Sequence, residues 1–143
     1  MEFLDDDHET ADPKVLPLGD VPRVDLADVD DVAPTLTVGP VDEALGLDQV
    51  AAKLWYFDPG DEISFHAHPE EEELYYVVSG EFSVKLGIPD DPEYVTVGPG
   101  TFFAAGPTEP HGHRCVGEER GVILALGAPA DAGDEAIDPH DPP

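Results

Sequence analysis

The chain has 143 residues and a hydrophobic content of 41%, enough for one domain with one modest core. Thirty-three acidic residues face six basic ones, a formal charge of −27, which disfavours nucleic acid and anionic membranes as partners because binding them takes cationic groups that displace counterions. No stretch approaches the roughly 20 apolar residues of a membrane span, and Cys115, the single cysteine, excludes an internal disulfide or a multi-cysteine zinc site.

The first residues, Met1-Glu2-Phe3-Leu4-Asp5-Asp6-Asp7, lack the basic-then-apolar pattern of a secretory signal, so a soluble, cytoplasmic protein is expected. Acids run through the whole chain, including between the expected strands, and Lys14, Lys53 and Lys85 are the only lysines. That spread points to a surface adapted to high salt, where screening relieves self-repulsion, and predicts a halophilic source.

In chain order, residues 1–33 are rich in aspartate and proline with apolar islands at Val15-Leu16 and Val24-Asp25-Leu26. They predict an acidic irregular segment with an edge strand or one short turn. Residues 34–128 carry the expected β domain. Thr35–Val41 and Val50–Phe57 are β-rich, and Asp58-Pro59-Gly60 turns the chain into Ile63–His68. Leu74–Val78 and Phe82–Leu86 form a hairpin around Ser79-Gly80-Glu81. Tyr94–Val97, Thr101–Ala105, His111–Val116 and Gly121–Leu126 complete the strands, and residues 129–143 read as an acidic polar tail. Short strands at near-regular spacing without a helical period predict an all-β sandwich or closed barrel.

Four of the six histidines form two tight pairs, His66 with His68 and His111 with His113. Positions two apart in a strand share a face, so each pair can point into one lumen. Imidazole nitrogen with carboxylate oxygen suits one divalent transition metal such as iron, manganese, nickel, copper or zinc. Glu70-Glu71-Glu72-Glu73 follows the first pair and can supply the carboxylate.

The segment from Gly60 through His66-Ala67-His68 and Glu73 to Gly80 resembles the first motif of the cupin superfamily: glycine, five residues, His-x-His, three or four residues, glutamate, six residues, glycine. Gly100 and His111 match the second motif at the right separation. Between and after them Gly106, Thr108 and Cys115 stand where proline, glycine and asparagine are expected. The resemblance implies a double-stranded β-helix, or jelly roll, whose lumen binds metal through His66, His68, Glu73 and His111. Spacing to Gly80 selects Glu73, with Glu72 the alternative if the shorter separation holds. His113 shares the face of His111, so one of them binds and the other is a second-shell or pocket residue.

Tyr75 shares parity with Glu73 and is a candidate pocket wall. Trp55, Tyr56, Phe57, Phe65, Phe82, Phe102 and Phe103 are first of all expected in the core, as is Cys115 as a small packed side chain. Lys53 and Arg114 are rare cations that either grip a carboxylate substrate or form surface ion pairs. His8 and His140 are expected to be exposed. A cupin of this size implies a small-molecule ligand or substrate and a homodimer in which the N-terminal apolar islands pack. The function expected is a metal-dependent dioxygenase or a related lyase or isomerase; the alternative is a non-catalytic ligand-binding or sensing module.

Overall fold

The computed structural model describes residues 2–27 and 35–132. Ten strands run as β1 (Val24–Asp25), β2 (Thr37–Gly39), β3 (Ala51–Phe57), β4 (Glu62–His66), β5 (Glu72–Ser79), β6 (Phe82–Ile88), β7 (Asp91–Val97), β8 (Phe102–Ala105), β9 (His111–Cys115) and β10 (Gly121–Ala128). They form two antiparallel sheets, ordered β1-β2-β3-β10-β5-β8 and β4-β9-β6-β7, the all-β jelly roll of the double-stranded β-helix.

Strand alternation divides the side chains between two layers. Inward-facing Phe57, Val77, Phe82, Val84, Cys115 and Ile123 are fully or almost fully buried and form the core between the sheets. On the opposite face of β3, Leu54 and Tyr56 are covered by Val21, with Leu16 and Val41 beside them. Leu16, Val24 and Leu26 of the N-terminal apolar islands therefore pack on their own chain, while Val15 is 70% exposed. Phe3 and Leu4 donate backbone N–H to the Glu43 carboxylate, at 2.9–3.0 Å, and Phe3 meets Trp55 edge-on. His8, expected to be exposed, is half-buried, with Nε2 2.7 Å from the Glu43 carbonyl. His140 and most of the 129–143 tail lie outside the described residues.

One expected strand is shorter than its sequence suggests. The run Thr35–Val41 breaks after Gly39, and Val41–Leu45 form a short helix, α1. Pro40 has no N–H for the ladder. Asp42 and Glu43 stand in the first helical turn, and Gly46, at φ 68°, closes it in the left-handed conformation. The Asp42 carboxylate then accepts from the N–H groups of Glu43 and Ala52 at 2.8 and 3.1 Å and pairs with Lys53. Among the described residues no helix is long and apolar enough to cross a membrane.

Two of the motif glycines answer to backbone geometry. Gly60 and Gly80 have φ of 91° and 82°, which side-chain-bearing residues rarely adopt. At Gly80 a Cβ would also lie 2.6 Å from the Cα of Gly121, so the β5–β6 turn passes directly against the start of β10.

Candidate metal centre

Strand β9 pairs with β4 so that His111 faces His66 and His113 faces Ile63. One residue, Gly112, separates the partners on β9 but two, Ser64 and Phe65, separate them on β4, so β4 carries a bulge between Ile63 and His66. Strict alternation would place Ile63 and Phe65 on one face and His66 on the other. The bulge changes the parity and turns His66 into the lumen beside His111, the re-aiming that bulges provide next to sites. Phe65, expected in the core, turns outward beneath the Lys85 ammonium, 4.4 Å from its ring centre.

On β5, Glu73, Tyr75 and Val77 share the inner face, and Glu72 is exposed on the other. Strand parity thus turns Glu73, and not Glu72, toward the histidines, while Glu71 lies 3.9 Å from His68 Nε2. One ligand atom each from His66, His68, Glu73 and His111 lies within 4.8 Å of all the others. Glu73 Oε1 is 3.0 Å from His111 Nε2 and 3.1 Å from His68 Nε2, and the Nε2 atoms of His66 and His68 are 3.1 Å apart. The loop before β9 is tied to the first histidine pair, because Thr108 N–H donates to the His68 carbonyl at 2.7 Å.

The far nitrogens of two rings set their tautomers. His66 Nδ1 donates to the Ser64 carbonyl at 2.7 Å and His111 Nδ1 to the Glu109 carbonyl at 2.9 Å. In the neutral ring each Nε2 is then a lone pair aimed into the cluster. Burial, with the neighbouring imidazoles, pushes the His66 pKa down to about 4, so that ring is neutral at neutral pH. Burial pushes the Glu73 carboxyl up, but hydrogen bonds from His111, His68 and Tyr75 outweigh it and hold the group well below the usual carboxylate range. Three ring nitrogens and a carboxylate converging at 3.0–3.1 Å are held together only by shared protons or by a cation among them. The donor set, three imidazoles and one carboxylate, therefore fits a borderline divalent metal.

His113 lies apart from this cluster. Its side chain is buried, ringed by Tyr75, Phe57, Phe103 and Phe82 at centroid distances of 5.2–6.4 Å. Neither ring nitrogen has a hydrogen-bond partner among the described residues. Burial lowers its pKa to about 3, leaving a neutral imidazole. Tyr75 donates its hydroxyl to Glu73 Oε2 at 2.7 Å and stacks on Phe103. Its place on the same face of β5 as Glu73 was legible from strand parity, but the bond to Glu73 was not, since it depends on the rotamers of both side chains.

The remaining cations stand elsewhere. Lys53 shares the inner face of β3 with Trp55 but is paired with Asp42, and Arg114 is exposed. Arg23 and Arg120 lie over the Tyr56 ring, on the outer face. Phe102 is 64% exposed and contacts Tyr76 outside the barrel, whereas Phe103 faces inward. Cys115 is buried in the core, as expected for a packed side chain.

Residues 53–127 match the family profile of the cupin domain. Over 82 residues the chain is 35% identical to a glucose-6-phosphate isomerase from Thermococcus kodakarensis, covering 57% of this chain and 41% of that protein. It thus spans less than half the length of that relative. A Klebsiella pneumoniae protein with a double-stranded β-helix domain superposes with a TM-score of 0.57 at 26% identity, over 64% of this chain and 76% of that one. A sugar phosphate isomerase of the cupin superfamily from Silicibacter pomeroyi gives a TM-score of 0.63 over 80% of this chain and 74% of that one; at 22% identity this is a likeness of fold alone.

Proposed function

Because the chain belongs to the cupin family and the matched region encloses all four converging side chains, we propose that it is a metal-dependent enzyme acting on a small hydroxy or carbonyl compound in the barrel lumen. The observation that carries this reading is the convergence of ring nitrogens of His66, His68 and His111 with the Glu73 carboxylate, with Nδ1 of two of the rings bonded to backbone carbonyls so that Nε2 is the atom left to ligate. These four residues would hold iron, manganese, nickel, copper or zinc. A bound ion of this kind supplies Lewis acidity to an oxygen of the substrate, or a binding position for oxygen.

The chain's own groups narrow the substrate. Tyr75, Phe103, Phe57 and Phe82 make the inner wall apolar and shut water away from the side of the cluster nearest His113. Lys53, on the inner face of β3, is neutralised by Asp42; Lys14 donates to the Gly46 carbonyl, Lys85 lies over Phe65, Arg23 and Arg120 lie over Tyr56, and Arg114 is exposed. Beyond a bound metal, a phosphorylated sugar would find no unpaired side-chain cation among the described lumen residues, whereas an uncharged sugar or hydroxy ketone needs none. Isomerisation of such a compound is supported by the likeness to glucose-6-phosphate isomerase, and oxygenase chemistry is the other reaction that this donor set would allow.

A non-catalytic binding or sensing module is the second reading. It is favoured by the state of the groups beside the cluster: the Tyr75 hydroxyl is committed to Glu73, and His113 is enclosed by rings, so neither is poised as a general base. Metal analysis followed by assays for isomerisation of fructose and fructose 6-phosphate, and for oxygen uptake with diols, thiols and ketones, separates the two. Metal-dependent turnover abolished by a chelator supports the enzyme. Tight ligand binding without turnover under any of the five metals supports the module.

The protein is further proposed to be cytoplasmic, adapted to high salt, and a homodimer. For the dimer, Leu74, Tyr76, Phe102, Leu124 and Leu126 line a groove on the outer face of the six-stranded sheet that has no charged side chain. Two copies carrying −27 each approach one another most readily over such a surface. Sedimentation showing a monomer in concentrated KCl would refute it.

A further inference from the structure

Glu73 uses its two oxygens differently. Oε1 faces the imidazoles, 3.0 Å from His111 Nε2 and 3.1 Å from His68 Nε2. Oε2 accepts the Tyr75 hydroxyl proton at 2.7 Å, and the same hydroxyl oxygen lies 3.1 Å from His111 Nε2. The two residues stand two apart on β5, on one face of the strand, so their side chains are neighbours by construction. Tyr75 itself has little freedom. It is 3% exposed, its ring stacks on Phe103 at 4.7 Å and 12°, and its backbone is paired on both sides, with Ala125 of β10 and Phe103 of β8.

A carboxylate can bind a metal through one oxygen or through both. With Oε2 held by a short, charge-assisted hydrogen bond from a rigid donor, a second metal bond from Glu73 would first have to break that bond. We infer that Tyr75 is a positioning residue that restricts Glu73 to one donor atom and thereby keeps a coordination position open for a small molecule. The inference rests on the metal-site reading above. Three imidazoles and one carboxylate oxygen on a six-coordinate ion leave two positions for exogenous ligands; a carboxylate bound through both oxygens leaves one. The residue two places after the ligand glutamate would then govern whether a chelating hydroxy-carbonyl compound can seat both of its oxygens.

Tyr75→Phe tests this, because it removes the hydroxyl and keeps the ring that stacks on Phe103. The probe is one equivalent of Mn(II) added to the full chain, read by its dissociation constant and by the water-proton relaxivity per bound ion, which reports coordinated water. The variant is expected to bind Mn(II) about 10–100-fold more weakly, as loss of an outer-shell partner does. Its relaxivity is expected to fall to roughly half as Oε2 takes a water's position. A purely structural role for Tyr75 would change affinity without changing the water count, so unchanged relaxivity overturns the inference whatever the affinity does. If the wild-type chain binds no Mn(II) in stoichiometric amount, the metal-site reading fails and takes this one with it. Should the variant not fold, the infrared difference spectrum of the wild-type chain on metal binding decides. A wide carboxylate stretch splitting, the mark of one-oxygen coordination, supports the inference, and a narrow one overturns it.

Discussion

A Cβ on Gly112 would lie 3.0 Å from the backbone nitrogen of Phe65 and 3.1 Å from its Cα. Gly112 sits between His111 and His113 on β9, opposite the bulge that turns His66 inward, and the absence of a side chain there lets the two strands close on one another. Gly112→Val should therefore push the bulge away from β9, destabilising the fold by about 1–3 kcal/mol. It should also weaken metal binding, although no ligand has been altered. Chemical denaturation and metal titration read the two effects; a variant that is destabilised yet binds metal normally would mean that the bulge does not set the His66 direction.

Removing one donor from the cluster should cost more than removing a support for it. His66→Ala and His68→Ala are expected to lose metal affinity by more than the roughly 10–100-fold attached to an outer-shell partner, while keeping the circular dichroism of the wild type. Retention of one bound metal per chain in both variants would show that the assigned ligands are wrong. His113→Leu should keep the metal and His111→Leu should lose it, and the reverse pattern would exchange their roles.

His113 also gives a signature in the pH dependence of stability. Its folded pKa is about 3 and that of His66 about 4, against 6.5 in an unfolded chain. Below pH 6.5 the unfolded chain takes up protons that the folded one refuses, so stability rises with pH through this window and levels off above it. The His113 share is roughly 5 kcal/mol across the window. In the metal-free protein, His113→Leu should remove that share and flatten the profile. At neutral pH it should raise stability by about 1–3 kcal/mol, because a buried imidazole without partners is gone. Superimposable stability profiles for variant and wild type between pH 4 and 6.5 would contradict this.

Thr108 occupies the place where the resemblance to the second motif leads one to expect glycine, and its φ is 65°. The backbone has kept the left-handed conformation although a β-branched residue now has to adopt it. Thr108→Gly should stabilise the chain by about 1 kcal/mol, the relief of strain being partly offset by the entropy of the unfolded glycine. Metal affinity should be unchanged, since the Thr108 N–H that holds the His68 carbonyl belongs to the backbone. A drop in melting temperature would show that the threonine side chain contributes something the strain argument omits.

A charge of −27 should make stability depend on salt. At 1 M the screening length is about 3 Å, against about 8 Å at physiological ionic strength, so repulsion between surface carboxylates largely disappears. The melting temperature is expected to climb between dilute buffer and concentrated KCl, more steeply than for a near-neutral domain of similar size. Equal stability in both would remove the case for adaptation to high salt.

Much of this protein is decided by local pattern. Period-two alternation, proline and glycine punctuation, and the spacing from Gly60 through His66, His68 and Glu73 to Gly80 are properties of neighbouring residues, so the jelly roll, the short strands and the candidate ligands could be read from the chain itself. The preference for Glu73 over Glu72 belongs there too, because it follows from the spacing to Gly80, whereas which parity of β5 faces inward was decided by the sheets. The tertiary structure decided what depends on register between distant segments. The bulge in β4 exists only in relation to β9, so parity alone would have turned His66 away from the lumen and Phe65 toward it. The helix at Val41–Leu45 is held by Asp42 bonding to β3, the Tyr75–Glu73 bond depends on two packed rotamers, and the isolation of His113 depends on rings from four different strands. Sequence spacing identifies which residues can meet; only long-range packing in three dimensions settles which atoms of those residues face one another.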